Sequence, residues 1–368
     1  MNRQPGLWVA ALLLAASWGN PVSAQSRIEQ LIEETGVEAG PVDSRDFPGW
    51  EKPHKIVVRD IGGLEEALAN VSSDIEFAFV QSEAEAIANA RDADAIIGFC
   101  SSAMVEAAQD AVWFQVYSAG VERCFEAERI QEGDVMLTNM QKMSSPVIGE
   151  HVTAMVVSLS RGLISFAKAM PDGQWQRNSS IVQGMQSYGG KTVLIAGLGG
   201  IGTEAARRLA ALDMRVIGTR RSSREGPDFV EYVGLSHELI ELVPRADYIV
   251  NALPITPETE GLFDAEFFNA AKRGAFFVNV GRGKTVVTAD LVAALESGQI
   301  AGAALDVTDP EPLPADHPLW QLDNVVITPH VSSRGGNRIR HITLAVENVR
   351  RFIAGEALLN VVDPELGY

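Results

Sequence analysis

The sequence predicts an α/β protein built from two doubly wound parallel sheets. Short apolar segments alternate with Ala-rich helical segments in two successive stretches of the chain, the first over residues 55–138 and the second from residue 191 to residue 330. This alternation is typical of parallel sheets that are covered by helices on both faces. The length of 368 residues is consistent with two domains of ordinary size, each with its own core.

The first 24 residues have the organisation of a cleavable signal peptide. Arg3 precedes an uncharged apolar run over residues 7–18, and Ala24 stands at the expected cleavage site before Gln25. The run is shorter than the roughly 20 residues that a membrane-spanning helix needs. We therefore expect a periplasmic or secreted protein without stable membrane insertion after cleavage. If the signal is not used, the protein would be cytoplasmic.

Residues 25–53 are predicted to form an acidic extension ahead of the first domain. Pro41, Pro48 and Pro53 favour loops there, with a short helix at 28–34. The chain as a whole has a formal charge of −18. Because this charge repels polyanions, nucleic acids and anionic membrane surfaces are not expected as partners.

Cys100 and Cys124 are the only two cysteines. Both lie in apolar surroundings at or near strand ends, and two buried thiols is the favoured interpretation. A disulfide between them remains open, because export would bring the chain into an oxidising compartment.

Strands and helices can be placed in order along the first alternation. Strands are predicted at 55–59, 75–80, 95–99, 113–118 and 136–138, and helices at 64–70 and 83–90. A long connecting helix is predicted at 146–170, with Pro146 in its first turn, where a missing N–H does no harm. A final helix at 336–354 is expected to return the chain to the first domain.

A glycine motif follows the first strand of the second alternation. Gly197, Gly199 and Gly202 lie between the strand "TVLIA" and the helix "TEAARRLAAL". In this context Gly199 would let the backbone approach a pyrophosphate, and Gly202 would let helix and strand pack closely. The free N–H groups of the helix N-terminus would bind the anion. The motif therefore predicts a dinucleotide site.

The next strand ends in two arginines, Arg220 and Arg221. In many dinucleotide sites this position holds a carboxylate that accepts a hydrogen bond from the ribose 2′-OH of NAD. A guanidinium at this position suits the 2′-phosphate of NADP through charge-assisted hydrogen bonds. We therefore expect NADP to be preferred over NAD, although Arg220 stacking on the adenine of either cofactor stays possible.

Three later segments place polar groups where strands are predicted to end. Arg282 follows "FFVNVG", Asp306 and Glu311 follow "AGAAL", and His330 follows "NVVITP". The carboxyl ends of parallel strands meet at one edge of a sheet, where ligands bind in this class of fold. An arginine, a carboxylate and a histidine at that edge are suited to reducing a carbonyl group. Each of them taken singly is also compatible with an ordinary surface residue.

Over residues 54–363 the sequence resembles the D-isomer-specific 2-hydroxyacid dehydrogenase family, and in particular its glyoxylate/hydroxypyruvate reductases. The resemblance rests on "YSAGVE", "GLGGIG", "NALPITPET", "VNVGRG", "ALDVTDPEPLP" and "ITPH", which occur in the family's order. It implies a Rossmann-type cofactor domain at 145–330 and a flavodoxin-like substrate domain formed by 54–144 plus 331–368. The active site would lie in the cleft between them, and the chain would form a homodimer.

The resemblance also assigns roles to individual residues. Arg282 would bind the carboxylate of a small 2-oxo acid, His330 would protonate the forming alkoxide as hydride arrives, and Glu311 would orient the His330 ring. The backbone N–H groups of Ala119 and Gly120 would hold the other side of the substrate carboxylate. The remaining cofactor contacts would come from Gly200, Ile201, Leu253, Pro254, Thr259, Val280 and Asp306.

A second interpretation is an exported, non-catalytic protein of the same fold that binds NAD(P). It is motivated by the signal peptide, because free nicotinamide cofactors are scarce outside the cytoplasm. The intact set of Arg282, Glu311 and His330 argues against it. Loss of the absorbance of the reduced nicotinamide on addition of a 2-oxo acid would distinguish the two interpretations.

Overall fold

The structure is a computed structural model that describes residues 24–364 except 70, 174, 176, 178 and 337. The predicted signal peptide therefore lies, apart from Ala24, outside the described residues. Within them the chain forms two parallel sheets.

The first sheet has the strand order β2-β1-β3-β4-β5, and all its neighbouring strands are parallel. The strands are β1 (Lys55–Arg59), β2 (Glu76–Val80), β3 (Ala95–Ile97), β4 (Trp113–Gln115) and β5 (Met136–Thr138). This is the flavodoxin-like order of a doubly wound sheet, and the winding direction reverses between β1 and β3.

The second sheet has the order β12-β11-β10-β9-β6-β7-β8. Its strands are β6 (Thr192–Ala196), β7 (Arg215–Arg220), β8 (Tyr232–Leu235), β9 (Tyr248–Asn251), β10 (Ala275–Asn279), β11 (Ile300–Leu305) and β12 (Val325–Ile327). This is the Rossmann order, with the reversal between β6 and β9. The predicted fold class, with two doubly wound α/β sheets, is confirmed.

The helices lie before, between and after these strands. They are α1 (Ala24–Thr35), α2 (Leu64–Leu68), α3 (Glu83–Ala88), α4 (Ser102–Ala107), α5 (Glu128–Gln131), α6 (Ser145–Ser160), α7 (Leu163–Ala169), α8 (Ser180–Gly184), α9 (Gly200–Ala210), α10 (Leu239–Leu242), α11 (Ala265–Ala270), α12 (Thr288–Glu296) and α13 (Arg338–Ala354). Leu344 and Phe352 of α13 are buried in one apolar cluster with Ile56 and Trp113 of the first sheet. The last helix thus returns to the first sheet.

Each sheet has an apolar core on both faces. Along β1, Ile56 and Val58 belong to one cluster and Val57 to another. Along β6, Leu194 packs into one cluster, whereas Val193 and Ile195 pack into the opposite one. Successive side chains of a strand point to opposite faces, so strands covered on both sides must be apolar throughout.

The prediction of one connecting helix over 146–170 is wrong. The segment forms α6 and α7, whose axes differ by 69°. The break falls at Gly162, which has a φ of +62°. This left-handed conformation interrupts a helix and favours glycine.

Helices α6 and α7 are the segment whose combined length and hydropathy resemble those of a membrane span. Among the described residues, no single helix reaches that length and hydropathy, and the bent pair of α6 and α7 reaches them only when taken together.

The extension at 25–53 is more ordered than its composition suggested. It begins with the twelve-residue helix α1, whose Ile28 and Leu31 are buried in the cluster that contains α13. Glu34 of α1 forms a 2.7 Å ion pair with Arg340. The short helix predicted at 28–34 lies within α1. Its packing against α13 was not predicted, because the partner surface comes from the other end of the chain, which local patterns cannot reveal.

Cys100 and Cys124 form a disulfide, with 5.0 Å between their Cα atoms. The favoured interpretation of two buried thiols is therefore wrong. Cys100 precedes α4, and Cys124 follows the loop "YSAGVER" at the end of β4. The bond joins the segments that follow β3 and β4, two neighbouring strands of the first sheet.

Candidate active site

A cleft of about 380 Å³ lies where the carboxyl ends of the two sheets face each other. Loops after β4 and β5 form one wall, and loops after β6, β7, β9 and β10 form the other. The predicted site residues in its walls are Ala119, Gly120, Gly197, Gly199, Gly200, Ile201, Arg220, Arg221, Leu253, Pro254, Val280 and Arg282. The topology thus brings together residues that are up to 163 positions apart, since Ala119 and Arg282 share the lining (282 − 119).

The glycine turn between β6 and α9 is shaped to admit a dinucleotide. A Cβ atom at Gly202 would lie 2.0 Å from the carbonyl oxygen of Gly197, so only glycine allows this approach of helix and strand. A Cβ at Gly199 would meet no protein atom within 4 Å, because this residue faces open space. The first N–H groups of α9 lie beside that space, as pyrophosphate binding requires.

Arg220 ends β7 and lines the cleft beside Arg221, Ser222 and Ser223. Its Nε atom is buried without a hydrogen-bond partner. A buried guanidinium nitrogen that lacks an acceptor is costly, unless a bound anion supplies one. Among the described residues that line the cleft, Glu122 carries the only carboxylate. These features fit a phosphate group at the Arg220 end of the cleft.

Arg282 lies just after β10 and extends towards the loop after β4. Its Nε donates a 2.7 Å hydrogen bond to Oε1 of Glu122, and its Nη1 donates a 2.9 Å bond to the carbonyl of Gly281. Its own carbonyl accepts a 2.7 Å bond from the Thr285 hydroxyl. With 28% of the side chain exposed, the guanidinium is held at the cleft wall and remains accessible to a small anion.

His330 and Glu311 form a hydrogen-bonded pair at 2.7 Å between Nδ1 and Oε1. Neither residue is part of the cleft lining, and both side chains are about half exposed. The contact uses Nδ1, which leaves Nε2 for exchange with a substrate. Burial would raise the pKa of Glu122, the residue that contacts Arg282, but the charge and hydrogen bond of Arg282 lower it, and His330 contributes in the same direction.

Asp306 does not line the cleft but supports the turn that carries His330. Its buried carboxylate accepts hydrogen bonds from the Thr328 hydroxyl at 2.6 Å and from the N–H groups of Val331 and Ser332 at 3.0 Å each. Burial would raise the pKa of Asp306, but the hydrogen bonds outweigh it and hold the pKa below its usual value. The carbonyl of Asp306 also accepts the N–H of His330 at 2.8 Å.

Thr259 is likewise a structural residue of the loop after β9. Its hydroxyl donates to the carbonyl of Pro254 at 2.7 Å and accepts from the N–H of Thr256 at 2.8 Å. These bonds fix the loop that presents Leu253 and Pro254 to the cleft. Thr259 therefore acts on the cleft through the loop rather than by lining it.

Sequence reasoning missed two charged residues of the cleft, Glu122 and Lys142. Glu122 stands two positions after Gly120 in the loop already singled out for substrate, and that adjacency was an available signal. Lys142 has a φ of +71° and donates a hydrogen bond to the carbonyl of Gly36. Burial lowers the pKa of Lys142. Its partner belongs to the N-terminal extension, so no local pattern indicates it.

The Rossmann sheet, the glycine turn and the cleft define an NAD(P)-dependent oxidoreductase. The family model described as "D-isomer specific 2-hydroxyacid dehydrogenase, NAD binding domain" matches residues 153–332. The chain belongs to the D-isomer specific 2-hydroxyacid dehydrogenase family, which transfers hydride between NAD(P) and 2-oxo or 2-hydroxy acids. The resemblance seen in the sequence is confirmed.

Three relatives, one compared by sequence and two by structure, match over nearly all of their length. The chain is 30% identical over 328 residues to the glyoxylate reductase of Korarchaeum cryptofilum, covering 86% of this chain and 97% of that protein. A D-isomer specific 2-hydroxyacid dehydrogenase from Xanthobacter autotrophicus, solved with NADPH and MES, aligns with a TM-score of 0.71 at 28% identity, covering 86% of this chain and all of the other. An NADPH-dependent glyoxylate/hydroxypyruvate reductase from Sinorhizobium meliloti, solved with NADP and sulfate, aligns with a TM-score of 0.72 at 28% identity and the same coverage.

Proposed function

We propose that the protein reduces a small 2-oxo acid to the D-2-hydroxy acid with NADPH. The observation that carries this proposal is the 2.7 Å pair of His330 and Glu311, together with a cleft that holds both Arg282 and the glycine turn. Relatives named glyoxylate reductase and glyoxylate/hydroxypyruvate reductase support a small substrate. Glyoxylate and hydroxypyruvate are therefore the first candidates.

The proposed mechanism gives each side chain one task. The bound cofactor supplies the hydride. Arg282 binds the substrate carboxylate with its planar fork and polarises the neighbouring carbonyl, while the N–H groups of Ala119 and Gly120 hold the carboxylate from the other wall. His330 donates a proton from Nε2 to the forming alkoxide, as a general acid within hydrogen-bond reach. Glu311 accepts a hydrogen bond from the Nδ1–H group of His330 and fixes the ring orientation.

The preference for NADP over NAD rests on Arg220. A 2′-phosphate would give the buried Nε an acceptor that it lacks within the protein, and Ser222 and Ser223 supply hydroxyl donors in the same wall. Solved relatives in complex with NADPH or NADP are consistent with this preference. Comparing kcat/KM for NADPH and NADH tests it, and a clear preference for NADH would contradict it.

The direct test of function is consumption of the reduced cofactor by the purified mature chain. We expect the absorbance of NADPH to fall when glyoxylate or hydroxypyruvate is added, with phenylpyruvate as a bulkier comparison. Cofactor binding without consumption for any 2-oxo acid would instead support the exported, non-catalytic NAD(P)-binding protein.

We further propose that the protein acts as an exported homodimer. The predicted signal peptide supports export. Leu163, Met170 and Trp175, which follow α6 along the chain, are exposed apolar side chains that a second subunit would cover. The mass of the particle in solution tests the dimer.

A further inference from the structure

The loop after β4 places a carboxylate of the protein on the guanidinium that is proposed to bind substrate. Glu122 accepts the Arg282 Nε hydrogen bond at 2.7 Å, and half of its side chain is exposed. A substrate carboxylate would need this same guanidinium.

The ion pair of Arg282 and Glu122 lies directly against Gly120 in the loop after β4. A Cβ atom added at Gly120 would lie 2.1 Å from Nη2 of Arg282 and 2.6 Å from Oε2 of Glu122. The wall formed by Gly120 therefore lies directly against both groups. A substrate carboxylate that approaches the Nε edge of Arg282 would need the place that the Glu122 carboxylate occupies.

Glu122 competes as an anion. Burial would raise its pKa, but the charge and hydrogen bond of Arg282 outweigh this effect, and His330 contributes in the same direction. The pKa of Glu122 is therefore below its usual value, and the side chain is ionised at neutral pH. The Glu122 carboxylate therefore opposes substrate binding in two ways: it occupies the guanidinium of Arg282, and it repels the negative charge of an arriving 2-oxo acid.

The loop backbone is fixed, so displacement has to come from the Glu122 side chain. Ser118 donates to the carbonyl of Gly120 at 2.7 Å, and Asn139 donates to the carbonyl of Ala119 at 2.9 Å. Cys124, two residues after Glu122, is covalently bound to Cys100. A half-exposed glutamate can rotate into solvent without moving these anchors.

From this geometry we propose that Glu122 is a built-in carboxylate that the substrate carboxylate must displace from Arg282. The inference rests on the proposed function of Arg282. Because Glu122 occupies Arg282, the apparent affinity for a 2-oxo acid is lower than the intrinsic affinity. The apparent affinity equals the intrinsic affinity multiplied by the fraction of molecules in which Arg282 is released.

The test compares Glu122→Gln with the matched control Glu126→Gln, which removes the same charge from an exposed residue four positions along the chain. We expect KM for glyoxylate to fall about three- to fivefold in Glu122→Gln, the size expected for one partly exposed ion pair, with kcat little changed. The dissociation constant of oxamate, an unreactive carboxylate, should fall by the same factor in the presence of NADP. Glu126→Gln should match the wild type in both measurements.

An unchanged or increased KM and oxamate dissociation constant in Glu122→Gln would overturn the inference, because Glu122 would then only position Arg282 or be a bystander. Glu122→Ala provides a second variant if the glutamine variant does not fold, as judged by its Tm. A wild-type protein that neither consumes NADPH nor binds oxamate would instead refute the proposed function, and this inference with it. The wild-type activity thus tests the proposed function, whereas the ratio of KM in Glu122→Gln to KM in the wild type tests the role of Glu122.

Discussion

At the residue scale, the proposed chemistry depends on one imidazole. His330 is held through Nδ1 by Glu311 at 2.7 Å, and Nε2 is the atom assigned to proton donation. We expect His330→Gln to lower kcat about 10²- to 10⁴-fold, as loss of a general acid does. Cofactor affinity, measured by calorimetry, should stay close to the wild-type value. His237→Gln, at an exposed position, is the control, and a His330 variant with most of the wild-type kcat would remove this residue from the acid role.

A second prediction at this scale concerns Arg220 and the choice of cofactor. Arg220→Ala should lower kcat/KM for NADPH about 10-fold or more while changing the value for NADH little, because a charge-assisted hydrogen bond contributes about 1.5–3 kcal/mol. Arg215→Ala at the other end of β7 is the matched control. Equal losses with both cofactors would mean that Arg220 stacks on the adenine and does not recognise a 2′-phosphate.

Individual residues differ in how far the sequence could predict them. Arg282, Glu311 and His330 follow strands, and strand ends in a parallel sheet share one edge, so their neighbourhood follows from local patterns together with the family resemblance. The ion pair of Arg282 with Glu122 was not predicted. It joins side chains 160 positions apart, and their rotamers depend on how the two walls of the cleft approach each other.

At the element scale, Asp306 links β11 to the turn after β12. Asp306→Asn would keep one acceptor oxygen and place an amide donor against N–H groups that now donate to a carboxylate. We expect this variant to lose about 1–3 kcal/mol of stability at neutral pH, measured as a lower Tm. Asp228→Asn, an exposed position, should leave the Tm unchanged.

The stability lost in Asp306→Asn should also depend on pH. The folded-state pKa of Asp306 is lowered relative to an unfolded value of about 3.9. Its stabilising effect is therefore complete above the unfolded pKa and disappears as the pH falls through the folded pKa. The Tm difference between wild type and variant should be constant at neutral pH and shrink below about pH 4. A difference that grows on acidification would contradict this assignment.

Element positions were predicted where local patterns determine them. The apolar runs at 55–59 and 136–138 coincide with β1 and β5, because buried strands are continuous hydrophobic segments. The break between α6 and α7 was missed, although Gly162 marks it in the sequence, because apolar residues continue on both sides. The contact of α1 with α13 depends on the other end of the chain and has no local signal.

At the scale of the whole molecule, the disulfide and the proposed export are consistent with each other. Disulfides persist in oxidising compartments, and a bridge between Cys100 and Cys124, 24 residues apart, is expected to stabilise the fold by about 3 kcal/mol. We expect the protein isolated from its source to begin at Gln25 and to contain no free thiol, as shown by intact mass with and without reductant. Reduction should lower the Tm. A full-length chain with two free thiols would contradict export.

The central claim is that the cleft transfers a hydride from a nicotinamide cofactor to the carbonyl carbon of a 2-oxo acid. The most direct test uses NADPH, and NADH in parallel, deuterated at the transferable position of the nicotinamide ring, with glyoxylate or hydroxypyruvate as acceptor. NMR of the product should show deuterium on the carbon that bears the new hydroxyl group, and only traces with Arg282→Ala or His330→Gln. A wild-type protein that yields no deuterated hydroxy acid with either cofactor would contradict the account.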